Sequence, residues 1–299
     1  MSIRIRATAA STTTDTHSVV AHSGRAAREC LARAGIRPDQ VGVLINTGIF
    51  RDANTVEPAV SALIQKEAGI GLDYVRADSR TFSFDLMNGA VGVLNAVQVA
   101  GSVLTTGSTE FVLIVAGDTH PSLTRPTADA TYPYTTAGAA LLLENIDGPE
   151  GFGPVHLATA PGTPAGQAYV DTATMGTVGR ATMTVERDAD FEDRVLAVAT
   201  DVARVALVEA GEGRVALIAS TPSPYFPKRL ADALGLDQDA VRTPDLTDGD
   251  PHTAALPLAY DRAIAADSLA EYTHVLFVAA GAGPSAAAAL YRLPVGLPA

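Results

Sequence analysis

Apolar residues fill most of the segment 84–101, which reads FDLMNGAVGVLNAVQVAG. From Ala90 onward, Asn95 and Gln98 are the polar residues that interrupt the run. A helix that is apolar nearly all round is a buried helix rather than a surface helix. The pattern therefore predicts a helix that runs through the middle of a domain, with Gly101 as its C-terminal stop.

The residues before this helix predict a short strand and a tight turn. Residues 81–85 are rich in β-forming side chains and end at Asp85, and Asn88 and Gly89 then mark the turn. The start of the helix, near Ala90, presents backbone N–H groups that have no acceptor within the helix. The helix dipole favours an anion such as a thiolate nucleophile at this place, yet the residue there is alanine.

The remaining apolar patterns predict strands and helices that alternate on both sides of this segment. Strands are predicted at 3–7, 41–46, 82–85, 111–116, 137–143, 215–219, 275–280 and 286–292, with a strand end and turn at 245–249. Helices are predicted at 17–35, 55–68, 190–211, 224–234 (after a short loop) and 253–266, and loops at 47–54 and 120–133. The second helix has Asn54 or Thr55 as its expected N-cap, and glycines at 35, 69 and 235 are expected stops.

The two halves of the chain repeat each other. VGVLINT matches RVALIAS, FDLMNGA matches PDLTDGD, and FVLIVAGD matches HVLFVAAG. Continuous apolar strands that alternate with helices predict an α/β fold with a mostly parallel sheet covered on both faces. The repeat predicts two βαβ halves, 1–150 and 151–299, in which Ala90 and Asp250 occupy equivalent places.

Charge and cysteine content exclude several classes of protein. The net charge is −12, Lys66 and Lys228 are the only lysines, and the absence of a basic run argues against nucleic-acid binding. The single cysteine, Cys30, excludes an internal disulfide or a cysteine-based metal cage, and we expect no cofactor. The N-terminus has no apolar signal core and no apolar run is long enough to span a bilayer, so we expect a cytoplasmic protein without membrane contact.

Six stretches, taken together, resemble the ketoacyl synthase III branch of the thiolase superfamily across nearly the whole chain. They are LINTGIFRDANTVEPAVSALIQKEAGI, FSFDLMNGAVGVLNA, FVLIVAGD, TAGAALLLE, GDPHTAALPLAYDRAI and GAGPSAAAALYRL. The resemblance rests on their order and spacing rather than on any single stretch. It implies a thiolase-like fold of two duplicated βαβ halves, stacked in α-β-α-β-α layers.

The chemistry of that family depends on a Cys nucleophile, a His and an Asn, and the resemblance places these on Ala90, Ser220 and Asp250. In the family the Cys takes an acyl group from a thioester, and the His and Asn stabilise the reacting anion. Acyltransferases of the branch carry Asp at the third position, but a methyl group at the first position cannot form a thioester. The family also has a segment after its first strand that holds CoA or a carrier arm, whereas here the chain runs almost directly from Thr8 to the helix near His17.

Further side chains near these positions are candidates for a rebuilt site or for a pocket lining. The hydroxyls around residue 220 are either replacement nucleophiles or groups that cap a loop. Asp250 and His252 are either a general acid/base pair or, since they lie in a tight turn before a helix, a capping arrangement. The remaining candidates are Thr221, Ser223 and His120, with Gly281 and Gly283, which in the family complete an oxyanion hole.

Three hypotheses for function follow. The first is a ketoacyl synthase III-like protein of fatty-acid or polyketide-type biosynthesis without the Cys nucleophile, acting as a non-catalytic partner subunit. It would form a homodimer, or a heterodimer with an active ketosynthase-like chain, through the strand at 82–85, and contact acyl-CoA or an acyl carrier protein. The second is an acyltransferase or thioester hydrolase with a rebuilt site that uses Asp250 and His252, helped by Ser220. The third is a protein that binds acyl groups or small molecules without turnover.

Overall fold

A computed structural model of the chain describes residues 2–72, 75, 80–122, 132–173, 175–178 and 180–294. Its strands are β1 (Ser2–Ser11), β2 (Val41–Asn46), β3 (Phe82–Asp85), β4 (Phe111–Asp118), β5 (Ala137–Ile146), β6 (Gly151–Phe152), β7 (His156–Thr159), β8 (Gly166–Tyr169), β9 (Thr184–Arg187), β10 (Val215–Ala219), β11 (Val241–Arg242), β12 (His274–Gly281) and β13 (Ser285–Arg292). Its α-helices are α1 (Val19–Ala34), α2 (Val60–Ala68), α3 (Gly92–Leu104), α4 (Met175–Val178), α5 (Phe191–Leu207), α6 (Phe226–Leu234) and α7 (Ala255–Ala265). Residues 123–131 of the predicted loop 120–133 lie outside the described residues.

The strand order repeats between the two halves of the chain. In the first half β2 is parallel to β3 and β4, β5 is antiparallel to β4, and β1 is antiparallel to β5. In the second half β10 is parallel to β11 and β12, β13 is antiparallel to β12, and β7 is antiparallel to β13. The short strand β6 pairs with both β1 and β13 and joins the two arrays. The predicted fold class, an α/β protein with duplicated halves, is confirmed.

Helices lie between the two arrays and on both outer faces. The central helix α3 contacts β4, β5 and β13, and α7 contacts β1 and β5 as well as β10, β11 and β12. On the outside, α1 and α2 cover the first array, while α5 and α6 cover the second. One buried apolar cluster surrounds α3 and α7, and one further cluster lies under each outer pair of helices. The layers therefore run α-β-α-β-α, because each sheet buries both of its faces.

Local signals placed several elements correctly. The apolar runs of β2 and β10 begin and end where the sequence predicts. Gly35, Gly69 and Gly235 each adopt a left-handed conformation directly after a helix, with φ of 69°, 72° and 69°. Glycine reaches this region without a steric penalty, and its N–H can then bond to the last carbonyl groups of the helix. The three predicted helix stops are confirmed.

The predicted stop at Gly101 is wrong. Gly101 lies inside α3, which continues to Leu104, and the left-handed glycine that follows is Gly107, with φ of 70°. A Cβ on Gly101 would come within 3.4 Å of the Ile3 side chain, so this glycine lies at a close contact between the helix and β1. A glycine in a helix interior can therefore mark packing rather than termination.

The predicted start of α2 near Thr55 is also wrong, because its cap comes from another element. The helix begins at Val60, and the carboxylate of Asp85 at the end of β3 accepts hydrogen bonds from Val60 N–H at 3.0 Å and Ser61 N–H at 2.7 Å. A carboxylate at a helix N-terminus satisfies free N–H groups and complements the dipole. The capping residue lies 25 residues further along the chain than the start of the helix, so the sequence near that start does not reveal it.

Strands β12 and β13 carry a run of buried alanines that face both the central cluster and the outer cluster. Ala286, Ala287, Ala288 and Ala289 of β13 have no exposed surface, and Ala279 and Ala280 of β12 lie opposite Ala287 and Ala286. Helix α5 packs directly against β13 and β12.

Within the described ranges no helix combines the length and the apolar character needed to cross a bilayer.

Candidate active site

A cavity of about 180 Å³ lies where the start of the central helix meets the carboxyl ends of β10 and β12. A larger cleft of about 590 Å³ on the other side of Tyr134 is lined mainly by threonine and aspartate side chains. We regard the smaller cavity as the candidate site because titratable side chains from both halves of the chain converge there. Its lining consists of Ile49, Phe50, Gly89, Ala90, Tyr134, Gly166, Gln167, Ala168, Val185, Glu186, Arg187, Phe191, Ser220, Thr221, Pro222, Asp250, His252, Ala280, Gly281 and Ala282.

Ala90 contributes a buried methyl group to this cavity. It is 4% exposed and stands two residues before α3. The turn at Gly281 approaches it closely, since a Cβ on Gly281 would lie 3.9 Å from the backbone N of Ala90. A methyl group has no lone pair and no acidic proton, so Ala90 cannot attach an acyl group covalently.

The single cysteine lies elsewhere, in the outer layer of the first half. Cys30 is buried on α1 and its thiol donates a hydrogen bond to the carbonyl oxygen of Ala7 at 3.3 Å. Burial raises the pKa of this thiol to about 12. Since the thiolate is the nucleophilic form, Cys30 is unreactive at neutral pH and cannot replace a nucleophile at the cavity.

Two hydroxyl groups follow β10 at the cavity, and both are engaged in hydrogen bonds. The Ser220 hydroxyl accepts a bond from the Ala280 N–H at 3.0 Å, which ties β10 to the end of β12. The Thr221 hydroxyl donates to Oδ1 of Asp250 at 2.7 Å. Ser220 thus links the ends of two strands, and the hydroxyl of Thr221 is positioned by a carboxylate.

Asp250 bonds to the backbone of its own turn. Its Oδ1 accepts from the backbone N–H of His252 at 2.8 Å, and its carbonyl oxygen accepts from the N–H of Thr135 at 2.9 Å. Burial raises the pKa of this carboxyl group, although His252 and the bond from Thr221 act in the opposite direction. The carboxyl group of Asp250 therefore stabilises the turn rather than bonding to the imidazole of His252.

The imidazole of His252 pairs instead with Asp118. Its Nδ1 lies 3.1 Å from Oδ2 of Asp118, which is the last residue of β4. The ring lies over Tyr134, with centroids 4.3 Å apart, and also contacts Phe50. His252 itself has a left-handed backbone with φ of 49°. Burial lowers the pKa of this imidazole, but the charge of Asp118 and the hydrogen bond to it outweigh burial and raise the pKa overall.

Asp118 organises the loops of both halves around the cavity. Its Oδ1 accepts from the backbone N–H groups of Ile49 and Phe50 at 2.9 and 2.7 Å. Its Oδ2 accepts from the N–H of Thr253 at 3.1 Å and from the Thr253 hydroxyl at 2.5 Å. Burial opposes ionisation, but His252 and these donors lower the pKa of Asp118 overall. The sequence analysis missed this residue, although a charged side chain at the end of a continuous apolar strand was a usable signal.

Arg187 supplies a cation at the side of the cavity. It is the last residue of β9, and its guanidinium donates to the carbonyl oxygen of Pro222 at 2.8 Å and to the hydroxyl of Tyr134 at 3.4 Å. The guanidinium group also lies over the ring of Phe191, with Cζ of Arg187 4.7 Å from the ring centroid. No pattern in the sequence singles out this arginine, because its partners come from distant segments.

The structure brings most of the candidate residues together. Those that line the cavity are Ala90, Ser220, Thr221, Asp250, His252 and Gly281. His120, Ser223 and Gly283 do not line it. His120 is buried with its ring 4.8 Å from that of Tyr132, and Gly283 lies in the turn between β12 and β13. Across the part of the chain that the structure describes, no group of three or more His, Cys, Asp or Glu side chains could hold a metal ion.

A duplicated α/β array with a cavity at the start of its central helix defines a protein of the thiolase-like class. Solved structures with this fold include a priming β-ketosynthase of a polyketide pathway (TM-score 0.81, 20% identity, 99% of this chain and 97% of that chain). They also include 3-oxoacyl-(acyl carrier protein) synthase III of Pseudomonas aeruginosa (TM-score 0.78, 19% identity, all of both chains). At these identities the likeness shows the fold alone.

Sequence comparisons find relatives of one kind over most of the chain. The β-ketoacyl-acyl-carrier-protein synthase III of Streptomyces glaucescens is 26% identical over 94% of this chain and 83% of its own length. An acyl-CoA:acyl-CoA alkyltransferase of Xanthomonas campestris is 28% identical over 32% of this chain, and a synthase III of Cereibacter sphaeroides 30% identical over 42%. These two alignments span only 25% and 36% of the relatives' own lengths. No family model matches the chain. Over most of its length the chain is therefore similar in sequence to β-ketoacyl-acyl-carrier-protein synthase III proteins.

Proposed function

We propose that this chain is a cytoplasmic ketosynthase III-type subunit of fatty-acid or polyketide-type biosynthesis that forms no acyl-enzyme. In this proposal it completes a dimer with an active ketosynthase-like chain and shapes the acyl pocket of that partner. The observation that carries the proposal is the methyl group of Ala90 at the start of the central helix, where the family places its nucleophile. The buried thiol of Cys30, in another layer of the fold, offers no substitute.

The edge strand β3 supports a dimer. Within the described residues β3 pairs on one side only, with β2, and it ends the strand order of the first array. Exposed apolar side chains lie on it and beside it, with Phe82 65%, Val56 66% and Met87 52% exposed. A strand edge with unpaired N–H and C=O groups and an apolar border is suited to pairing with a strand of another chain. We therefore assign the dimer interface to Phe82–Asp85.

Co-expression tests this assignment. The candidate partners are homologous chains that retain the Cys and His of the family, and the complex is measured by size-exclusion chromatography with light scattering. We expect a heterodimer that Phe82→Glu abolishes, because a charge would be buried in the interface. Val208→Glu is the matched control, since Val208 is 80% exposed and lies directly after α5, on the outer face of the second half. Homodimers or monomers with every candidate partner, or equal assembly of both variants, would refute the proposal.

One contact favours a second candidate, an acyltransferase or thioester hydrolase with a rebuilt site. His252 lines the cavity and is held by the fully buried Asp118, as is typical of a histidine that transfers protons. The sequence had paired His252 with Asp250, but the imidazole of His252 contacts Asp118, while Asp250 bonds to the backbone N–H of His252. Contact with acyl-CoA or an acyl carrier protein is part of both candidates.

A further inference from the structure

We propose that His252, positioned by Asp118, is a general base that activates water for the hydrolysis of a thioester bound in the cavity beside Ala90. This inference rests on the second candidate function, a thioester hydrolase, and deepens it by assigning the base, the nucleophile and the size of the acyl group; it does not depend on the role of a partner subunit. It requires no second chain. It also requires no acyl-enzyme, so it is compatible with the methyl group at residue 90.

The arrangement of the imidazole carries the inference. With Nδ1–H donating to Asp118, the neutral ring presents the lone pair of Nε2 on its other side. Among the described residues none forms a hydrogen bond with Nε2, and the side chain is 12% exposed and lines the cavity. A histidine whose one nitrogen is fixed by a buried carboxylate and whose other nitrogen faces a cavity has the geometry of a catalytic base.

The backbone at His252 is held in an unfavourable conformation. A φ of 49° is rare for a residue other than glycine, because a Cβ makes this left-handed conformation unfavourable. Two contacts impose it, because the backbone N–H is bound by Asp250 while the ring is bound by Asp118. The rings of Phe50 and Tyr134 complete the restraint. The surroundings therefore fix where Nε2 points, which is the requirement for a positioned base.

Other groups at the cavity bear on two further requirements of hydrolysis, which are the stabilisation of the carbonyl oxygen and the supply of a nucleophile. The central helix begins two residues after Ala90, so the positive end of its dipole favours negative charge on a carbonyl oxygen placed near Ala90. The hydroxyls of Ser220 and Thr221 are both engaged, with Ala280 N–H and with Asp250. Neither hydroxyl forms a hydrogen bond with the imidazole of His252 among the described residues, so the nucleophile that this base activates is water. A volume of about 180 Å³ leaves room for a short acyl group together with water.

The reaction is balanced without any further reagent. Nε2 takes a proton from water while the water oxygen bonds to the carbonyl carbon, and the C=O electron pair moves onto the carbonyl oxygen. When that oxygen re-forms the double bond, the C–S bond breaks and the sulfur receives the proton from His252. The products are a carboxylic acid and a thiol, and Asp118 stabilises the imidazolium between the two transfers.

The test measures thiol release from a panel of N-acetylcysteamine thioesters with acyl chains of two to eight carbons. The protein carries Cys30→Ala, so that every thiol detected is a product. The key variant is His252→Asn, because asparagine tolerates a left-handed backbone and cannot act as a base. His156→Gln is the matched control. His156 lies on β7, pairs with Glu209 and does not line the cavity.

We expect His252→Asn to lower kcat by at least ~100-fold with KM changed by less than ~3-fold, as general-base loss predicts. His156→Gln is expected to keep the parental rate. In the parent, kcat rises with pH as His252 loses its proton in the field of Asp118, Asp250 and Arg187, and this limb disappears in the variant. In His252→Gly, which also tolerates the backbone, added imidazole should restore part of the rate.

The outcomes separate this inference from the proposed function. No thiol release, or release that His252→Asn leaves unchanged, overturns the inference even when the heterodimer forms. Release that depends on His252 in a chain that never pairs with a ketosynthase supports the inference and overturns the partner-subunit proposal. Rescue of His252→Gly by imidazole distinguishes a missing base from a damaged fold.

Discussion

Replacing Asp118 by asparagine is the most direct test of how the two halves are held at the cavity. The carboxylate accepts backbone bonds from Ile49 and Phe50 on Oδ1, and bonds from His252 and Thr253 on Oδ2. Asp118→Asn keeps the shape of the side chain, so no cavity is created. It removes the negative charge and turns one acceptor oxygen into a donor NH₂ group.

The expected cost follows from these contacts. The remaining amide oxygen still accepts from the two loop N–H groups, and the Thr253 hydroxyl can rotate to accept from the new NH₂ group. The backbone N–H of Thr253 and the charged form of His252 lose their partner in a fully buried place. Breaking one side of a buried ion pair costs about 3–5 kcal/mol. Because the pKa of His252 is raised above its usual value, the pair is charged at pH 6, and we expect the free energy of unfolding at pH 6 to fall by about that amount.

Urea unfolding followed by circular dichroism measures this change. Asp245→Asn serves as the control, because Asp245 is exposed and bonds only to Thr247 in its own turn, so the loss there should stay below ~1 kcal/mol. A loss below ~1 kcal/mol for Asp118→Asn at an unchanged m-value would show that this carboxylate does not hold the loops together.

Two further predictions concern Ala90 and His252. Ala90→Cys places a thiol at the start of the central helix, where the dipole lowers its pKa, and incubation with a short acyl-CoA should add one acyl group to the intact mass. A variant that iodoacetamide alkylates but acyl-CoA leaves unmodified would contradict the match of Ala90 with the nucleophile. Because folding raises the pKa of His252, its stabilising contribution is fully present below about pH 6.5, the unfolded value, and is lost as pH rises through the folded value. The difference in unfolding free energy between the parent and His252→Asn should therefore shrink from pH 6 to pH 8.5, and a constant difference would refute the ion pair with Asp118.

Local sequence signals were sufficient for most of the fold. Continuous apolar runs located β2 and β10, and left-handed glycines located the ends of α1, α2 and α6, because both signals act within a few residues. The errors arose where a distant contact decides the structure. Gly101 accommodates Ile3 rather than ending a helix, and Asp85 caps α2 from the next strand.

The candidate site was predictable only in part. The repeat and the family resemblance led to Ala90, Ser220, Asp250 and His252, and these residues do meet at one cavity. The partner of His252 was missed because Asp118 lies 134 residues earlier in the chain and meets it only after the halves have packed. Spacing along the sequence identifies turns, whereas the pairing of buried charges is fixed by tertiary structure.

The buried alanines of β12 and β13 respond to mutation differently from the buried leucines of the central helix. The side chain of a buried alanine is a single methyl group, so a smaller residue removes little volume, and the close packing leaves no space for a larger side chain. Shrinking Ala288 to glycine removes one carbon and costs about 0.5–1 kcal/mol, while enlarging it to valine forces helix α5 away from the sheet and costs about 1–3 kcal/mol. Substitutions at these alanines are thus disfavoured chiefly when they enlarge the side chain. At Leu94 and Leu104 of the central helix, by contrast, they are disfavoured chiefly when they make it smaller.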